Sequence, residues 1–390
     1  MMAKQTPRIY FDYAAATPLD ETVAQAMRQA EVHYGNPGSL HAEGRAAREA
    51  LDACRADIAR VLAARPDEIV FTASSTESNN LAIFGVLTAI QIPGATVLTL
   101  ATEHAAVRRP MEVLREQGVS VTEVALRPDG RIDLDSLGDA LDDTVVLVSL
   151  AMVTSEIGTL QPMGEIGKLI VAARADRQER GITTPLIFHT DAASAAGLQS
   201  LHVSRLGVDL MTFGAGKLYG PTGIAALYVR TGTPLAPMLL GGGQEHGRRA
   251  GTESITLCVG FARALVLAED MRKSEVERLK GLRSELADLL RDIPGLTFNT
   301  ELKHSLVNTL NVSVAGHDGE DLALALDARG YAVATGAACA ESSAEPSHVL
   351  LAIGRTKEIA QASLRISLGR QTTHAQIVGL SQAIRAIMKV

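Results

Sequence analysis

Val208-Asp209-Leu210-Met211-Thr212-Phe213-Gly214-Ala215-Gly216-Lys217-Leu218-Tyr219-Gly220-Pro221 is the stretch on which the reading of this chain turns. An apolar run enters a short glycine-rich turn, a single lysine follows, and Tyr-Gly-Pro stops the backbone. Gly214 and Gly216 carry no Cβ, so the main chain can approach a bulky ligand closely. Lys217 then projects from a constrained turn rather than from a solvated helix face. A lysine held this way can lose its proton and act as an amine nucleophile toward a carbonyl. The plainer alternative is a surface lysine in a glycine-rich loop, and the rest of the sequence has to choose between them.

Outward from this stretch, strand-like and helix-like text alternates. Residues 68–72, 96–100, 119–126, 145–150, 185–190, 206–213 and 224–229 read as strands, several of them uniformly apolar. Residues 21–33, 42–64, 135–141 and 166–180 read as helices; in the second, apolar residues recur at three- and four-residue steps from Ala46 to Leu62. Cys54 falls on that apolar face and reads as core. This alternation predicts an α/β domain with a mainly parallel central sheet, in which ligands sit beyond the carboxyl ends of the strands. His104, Asp191 and Lys217 each follow directly on a predicted strand.

Each has a bland reading beside the functional one. Asp191 either caps a helix starting at Ala192 or is a buried carboxylate holding a cationic ring nitrogen. His104 is either a core histidine or a ring that stacks on a flat ligand and moves protons. After the strand at 68–72, Ala73-Ser74-Ser75-Thr76 leads into an apolar helix. Backbone N–H groups, hydroxyls and the helix dipole converge there on an anion site, with Ser75 and Thr76 as phosphate candidates; the alternative is a plain N-cap.

Beyond Thr252 the pattern changes. Residues 255–291 read as a long helix or a broken pair, and 305–314, 322–335 and 364–368 give strand–helix–strand text for a smaller C-terminal α/β domain. Cys258 reads as core, whereas Cys339 stands in a loop of small residues, where an ionised thiol is a candidate nucleophile. Three widely spaced cysteines suggest neither a disulfide framework nor a zinc site. A net charge of −7 over 390 residues argues against nucleic acid or an anionic membrane as partner. The apolar stretch 81–92, broken by Thr88 and Gln91, is too short to span a bilayer. No apolar signal core opens the chain, so no secretion and a cytoplasmic setting are expected.

Together these parts resemble the fold-type-I pyridoxal phosphate enzymes of the class V aminotransferase group, and within them the cysteine desulfurases of the NifS/IscS kind. The likeness rests on Phe11-Asp12-Tyr13-Ala14-Ala15, Tyr34-Gly35-Asn36-Pro37, Thr102-Glu103-His104, Glu156-Ile157-Gly158, Lys217-Leu218-Tyr219-Gly220-Pro221, Arg249-Ala250-Gly251-Thr252 and Leu364-Arg365-Ile366-Ser367. It implies a fold-type-I transferase with a large cofactor-binding domain over 15–258 and a small domain of 1–14 and 259–390 that carries the Cys339 loop. It also implies a homodimer.

The resemblance implies pyridoxal 5'-phosphate held covalently by Lys217, with Asp191 at its ring nitrogen and His104 stacked on the ring as acid and base. Ser75 and Thr76 bind the phosphate, helped by Thr252 from a second subunit. Ser155, Ser194, Gly214 and Gly216 complete the cofactor pocket, and Arg365 and Asn36 bind the substrate. Cys339 takes sulfur from L-cysteine as a persulfide, leaving L-alanine, and passes it to a sulfur-acceptor protein. No metal is implied. The family pattern has asparagines where Thr154 and Ser155 stand, glutamine at Ser194, and a serine and a histidine at Gly214 and Gly216. Those departures keep two alternatives open: a selenocysteine lyase or another lyase or aminotransferase of this fold, and a non-catalytic scaffold homologue.

Overall fold

The structure, a computed structural model, describes residues 8–335 and 345–389; Cys339 lies outside the described residues. A short strand, β1 (Ile9–Tyr10), comes first. The strands β2 (Ile69–Thr72), β3 (Thr96–Thr99), β4 (Ser120–Glu123), β5 (Val145–Ala151), β6 (Ile187–Asp191), β7 (Leu210–Gly214) and β8 (Ala225–Val229) follow. They form one sheet in the order β2-β8-β7-β6-β5-β3-β4. Only β8 runs against the rest, pairing antiparallel with both β2 and β7. The expected mainly parallel α/β architecture is therefore present.

Both faces of this sheet are covered. Every residue of β5 is buried, as a strand between two helical layers requires. Side chains alternate between two cores: Val70, Val97 and Leu227 pack on one face with Leu81 and Val107, while Phe71, Leu98 and Tyr228 pack on the other with Leu51 and Phe261. Helices Ser75–Ile90 and Ala105–Glu116 supply the first layer, and Ala42–Leu62 with the start of Ile255–Leu290 the second. Cys54 and Cys258 are buried within the second core.

The second region holds β9 (Leu296–Phe298), β10 (Thr309–Val314), β11 (Tyr331–Ala332), β12 (Ala334–Thr335) and β13 (Ser363–Ser367). Four of these make an antiparallel sheet in the order β12-β13-β10-β9, and β11 pairs with β1. Phe11 joins this smaller core with Leu310, Ile366 and Ile377, so the N-terminal segment packs with the C-terminal one. The 36-residue helix Ile255–Leu290 serves both cores, giving Ile255 to Ala268 to the large one and Leu279 to Leu290 to the small one.

Three sequence expectations were displaced by turn chemistry. The helix expected over 322–335 is Gly319–Asp327, started by the Asp318 side chain on the Glu320 and Asp321 N–H groups and stopped by Gly330 at φ +90°. The strand expected from 305 starts at Thr309, because Leu306 is tied by its N–H to Gly158 O. No helix follows Asp191: residues 193–198 are turns, with Gly197 at φ +76°. The closing helix His374–Met388, capped by Thr373 and Gln376, had no counterpart in the sequence reading.

Candidate active site

The carboxyl ends of β2, β5, β6 and β7 open onto one cavity of about 250 Å³. Register explains the convergence: Ala151 at the end of β5 pairs with Asp191 at the end of β6, which pairs with Thr212 near the end of β7. Lys217, Asp191, His104, Ser75 and Thr76 all line the cavity. So do Ser155, Ser194, Gly214 and Gly216.

Lys217 ends a single 3₁₀ turn that follows β7 directly. Thr17 clamps this turn from both sides: its hydroxyl donates to Gly216 O at 3.1 Å and accepts the Tyr219 N–H at 2.7 Å. Tyr219 is held at φ +60° and Gly220 is wedged in, where a Cβ would stand 2.9 Å from the Cβ atoms of Ala215 and Ala264. So the turn cannot relax outward without breaking packing. Lys217 Nζ donates to Ser194 Oγ at 3.0 Å.

Asp191 is fixed through both oxygens. Asn79 Nδ2 donates to Oδ2 at 2.7 Å, and the Ala193 N–H donates to Oδ1 at 2.9 Å. The two sequence readings of this residue therefore coexist, since the carboxylate caps a turn with one oxygen and faces the cavity. His104 also has a local duty: it precedes the helix Ala105–Glu116, and its Nδ1 accepts the Ala106 N–H at 3.1 Å. Nδ1 therefore carries no hydrogen in the neutral ring, and the proton sits on Nε2. Burial holds this imidazole below its usual range; the charges of Lys217, His348 and Arg365 add to that, and Asp191 opposes it.

At the head of helix Ser75–Ile90 the N-cap is Ser74, whose hydroxyl accepts the Glu77 N–H at 3.1 Å. That leaves Ser75 and Thr76 as first-turn residues on the cavity wall, at the positive end of the helix dipole. Gly214 allows the end of β7 to press against them, because a Cβ there would lie 2.6 Å from Ser75 Oγ. At Gly216 a Cβ would meet only Thr222, at 3.8 Å.

Other expected residues stand elsewhere. Thr252 is exposed on a neighbouring 200 Å³ cleft that shares the walls Ala73, Gly223 and Ile224 with the main cavity. Asn36 is exposed, and its Oδ1 accepts the Gly38 N–H. Arg365 is buried on β13 and paired with Asp12. Cys339 lies outside the described residues. Asn79, Thr102 and Thr17 are site residues the sequence reading missed. Asn79 was open to detection, since it follows Ser75 by four residues and so shares its helix face; nothing local signals Thr17.

The donor set fits a flat ring that carries an aldehyde and a phosphate. A primary amine, an oriented carboxylate and a hydroxyl-bearing helix N-terminus surround one cavity. Thr102 Oγ1 and Asn79 Oδ1, on residues of its wall, are buried oxygens without a hydrogen-bond partner among the described residues, which is the mark of a site shaped for a polar ligand. No cluster of His, Cys, Asp and Glu among the described residues is arranged to hold a metal ion, and no helix among them is long and apolar enough to cross a membrane.

Comparison with known proteins gives concordant results. The family described as Aminotransferase class-V matches residues 9–380. The chain is 40% identical over 367 residues to a cysteine desulfurase IscS of Dictyoglomus turgidum, covering 94% of this chain and 90% of that protein. It is 42% identical over 375 residues to a cysteine desulfurase IscS of Escherichia coli, covering 95% and 90%. A solved structure described as a NifS-like protein superposes with a TM-score of 0.89 at 32% identity, over 98% of this chain and 99% of the other.

Proposed function

The chain belongs to the aminotransferase class-V family, and from that premise we propose that it works as a cysteine desulfurase that uses pyridoxal 5'-phosphate and L-cysteine. The observation that carries the reading is the meeting of Lys217, Asp191, His104 and the Ser75–Thr76 helix start in one cavity. Likeness to the IscS proteins along nearly the whole chain supports it.

In this reading Lys217 holds the cofactor covalently, Ser75 and Thr76 with their helix N-terminus hold its phosphate, and Asp191 faces its ring nitrogen. Bound there, pyridoxal 5'-phosphate supplies an electron sink for bond breaking at the substrate's Cα and Cβ. The chain's own residues do the rest. Asn79 keeps the Asp191 carboxylate aimed, and its N–H donation favours the charged form that faces a protonated partner. Lys217 Nζ, steadied by Ser194, is the group that moves a proton at the substrate Cα. Neutral His104 carries a proton on Nε2 and faces the cavity beside Lys217 and Asp191. Arg365 receives the substrate carboxylate.

The sulfur balance is simple. The Cβ–S bond of L-cysteine breaks, a Cβ–H bond forms to give L-alanine, and the sulfur joins the Cys339 thiol as a persulfide. A sulfur-acceptor protein then takes it from Cys339, and the working unit is a homodimer to whose sites Thr252 contributes across the interface.

The test is direct. Protein loaded with pyridoxal 5'-phosphate and given L-cysteine is expected to release L-alanine and to gain the mass of one sulfur atom on the Cys339 peptide; Lys217→Ala is expected to lose both. No alanine and no added sulfur in the unaltered protein would falsify the assignment.

A further inference from the structure

Arg365 sits in the middle of β13, between Asn311 of β10 and Ala334 of β12, and is only 7% exposed. Its Nη2 donates to Asp12 Oδ1 at 2.9 Å. Its Nε is buried and has no hydrogen-bond partner among the described residues. A guanidinium this deep cannot shed its proton, so its charge must be compensated in place. Asp12 does that, and its position is built for it. The backbone of Asp12 bridges Ser367, two residues along from Arg365, and Asp12 O accepts the Tyr10 hydroxyl and the Ala15 N–H.

Asp12 is also the more open member of the pair, and Ala15 and Ala16, three and four residues on, line the main cavity. Arg365 is near enough to His104 and Glu156 for its charge to act on both. The pair therefore lies close to the cavity without lining it, with Nη2 held by Asp12 and Nε enclosed without a partner among the described residues.

We propose that Asp12 is a stand-in for the substrate carboxylate, holding Arg365 when no amino acid is bound and sharing the guanidinium when one enters, so that Asp12 sets how tightly amino acids bind. This rests on the reading of Arg365 as the carboxylate receiver. Because Nε is enclosed, an incoming carboxylate meets the guanidinium at its Nη end, the end that Asp12 already holds. Sharing has a cost, because two like-charged carboxylates then face one cation. That cost weakens the binding of substrate and product alike and favours release of L-alanine.

Asp12→Asn keeps an oxygen acceptor for Nη2 and removes the competing charge. In the cofactor-loaded enzyme it is expected to lower KM for L-cysteine and the dissociation constant for L-alanine together, each by about tenfold. The change resides in KM rather than kcat, as for uniform binding. L-Alanine binding is read without turnover, from the thermal midpoint of the loaded protein as alanine is added. Asp12→Ser carries the same expectation should the asparagine variant not fold. A KM and an alanine dissociation constant that stay the same or rise in both variants overturn the proposal, since that is what a merely structural pair would give. Arg365→Ala separates the two layers: if it leaves KM unaltered, the reading of Arg365 fails, whatever Asp12 does.

Discussion

Asn79 Nδ2 stands 2.7 Å from Asp191 Oδ2, linking the first helix after β2 to the last residue of β6. Asn79 is fully buried and Asp191 half-buried at the cavity, so the contact is partly shielded from water and is stronger than its surface equivalent. It joins the helix that offers Ser75 and Thr76 to the strand that offers Asp191. Phosphate end and ring-nitrogen end of the proposed cofactor site are thereby set in one frame.

Removing that link has a defined consequence. Asn79→Ala takes one hydrogen bond from a half-buried carboxylate, worth about 1.5–3 kcal/mol. Pyridoxal 5'-phosphate affinity is expected to fall by roughly tenfold or more, measured by absorbance titration. Asn79→Asp is expected to be worse, because two adjacent carboxylates cannot both stay ionised. Equal affinity in all three proteins would remove Asn79 from the site.

Gly214 and Gly216 differ in what they tolerate. A serine at 214 meets Ser75 Oγ at 2.6 Å and the Ala225 Cβ at 3.2 Å, so it must displace the Ser75 hydroxyl. Gly214→Ser is expected to destabilise by about 1–3 kcal/mol and to weaken cofactor binding as well. Gly216→Ser meets only ordinary contact at 3.8 Å and is expected to leave the stability within about 0.5 kcal/mol of the parent. Thermal unfolding with and without cofactor checks both, and a harmless Gly214→Ser would contradict the steric account.

Sequence text made the large sheet legible because its strands are short uniform apolar runs at regular intervals, and because His104, Asp191 and Lys217 follow strands whose carboxyl ends must meet. The second, smaller sheet region was less legible. β11 and β12 are two residues each, and their pairing depends on partners far away in sequence, Ile9–Tyr10 and β13. Asp12 is the same kind of case: its pairing with Arg365 spans 353 positions, and no local pattern announces it.

The segment that bears Arg249 and Thr252 depends on a buried ion pair. Arg55 pairs bidentately with Glu245, with Nη1 to Oε2 at 2.7 Å, and the same Oε2 accepts the Phe71 N–H at 2.8 Å. Glu245 and His246 both sit at positive φ, a strained arrangement for residues with side chains. Glu245→Ala leaves the buried Arg55 charge without its counter-ion, at a cost of about 3–5 kcal/mol. The double variant Arg55→Met, Glu245→Leu is expected to lose less than either single truncation. A loss that is additive across the two sites would mean the pair does not act as a unit.

Glu103, next to His104, gives the stability a pH dependence of known sign. Its carboxyl is fully enclosed: Oε1 accepts the Ala151 N–H at 2.7 Å, and Oε2 has no partner among the described residues. Burial pushes it up to about 8; the Ala151 N–H works against that, and the Asp191 charge adds to it. The folded state therefore binds this proton more tightly than the unfolded chain. The stability Glu103 contributes is complete below the ordinary glutamate range near 4.5 and is lost as pH rises toward 8. Glu103→Gln mimics the protonated acid at every pH and removes this slope, which amounts to at most about 1.4 kcal/mol per pH unit. Thermal midpoints of the two proteins are expected to lie close together at pH 5 and to diverge by pH 8, with the glutamine variant the more stable. A gap that stays constant between those pH values would show that Glu103 is ionised in the folded protein, and that the Ala151 N–H outweighs its burial.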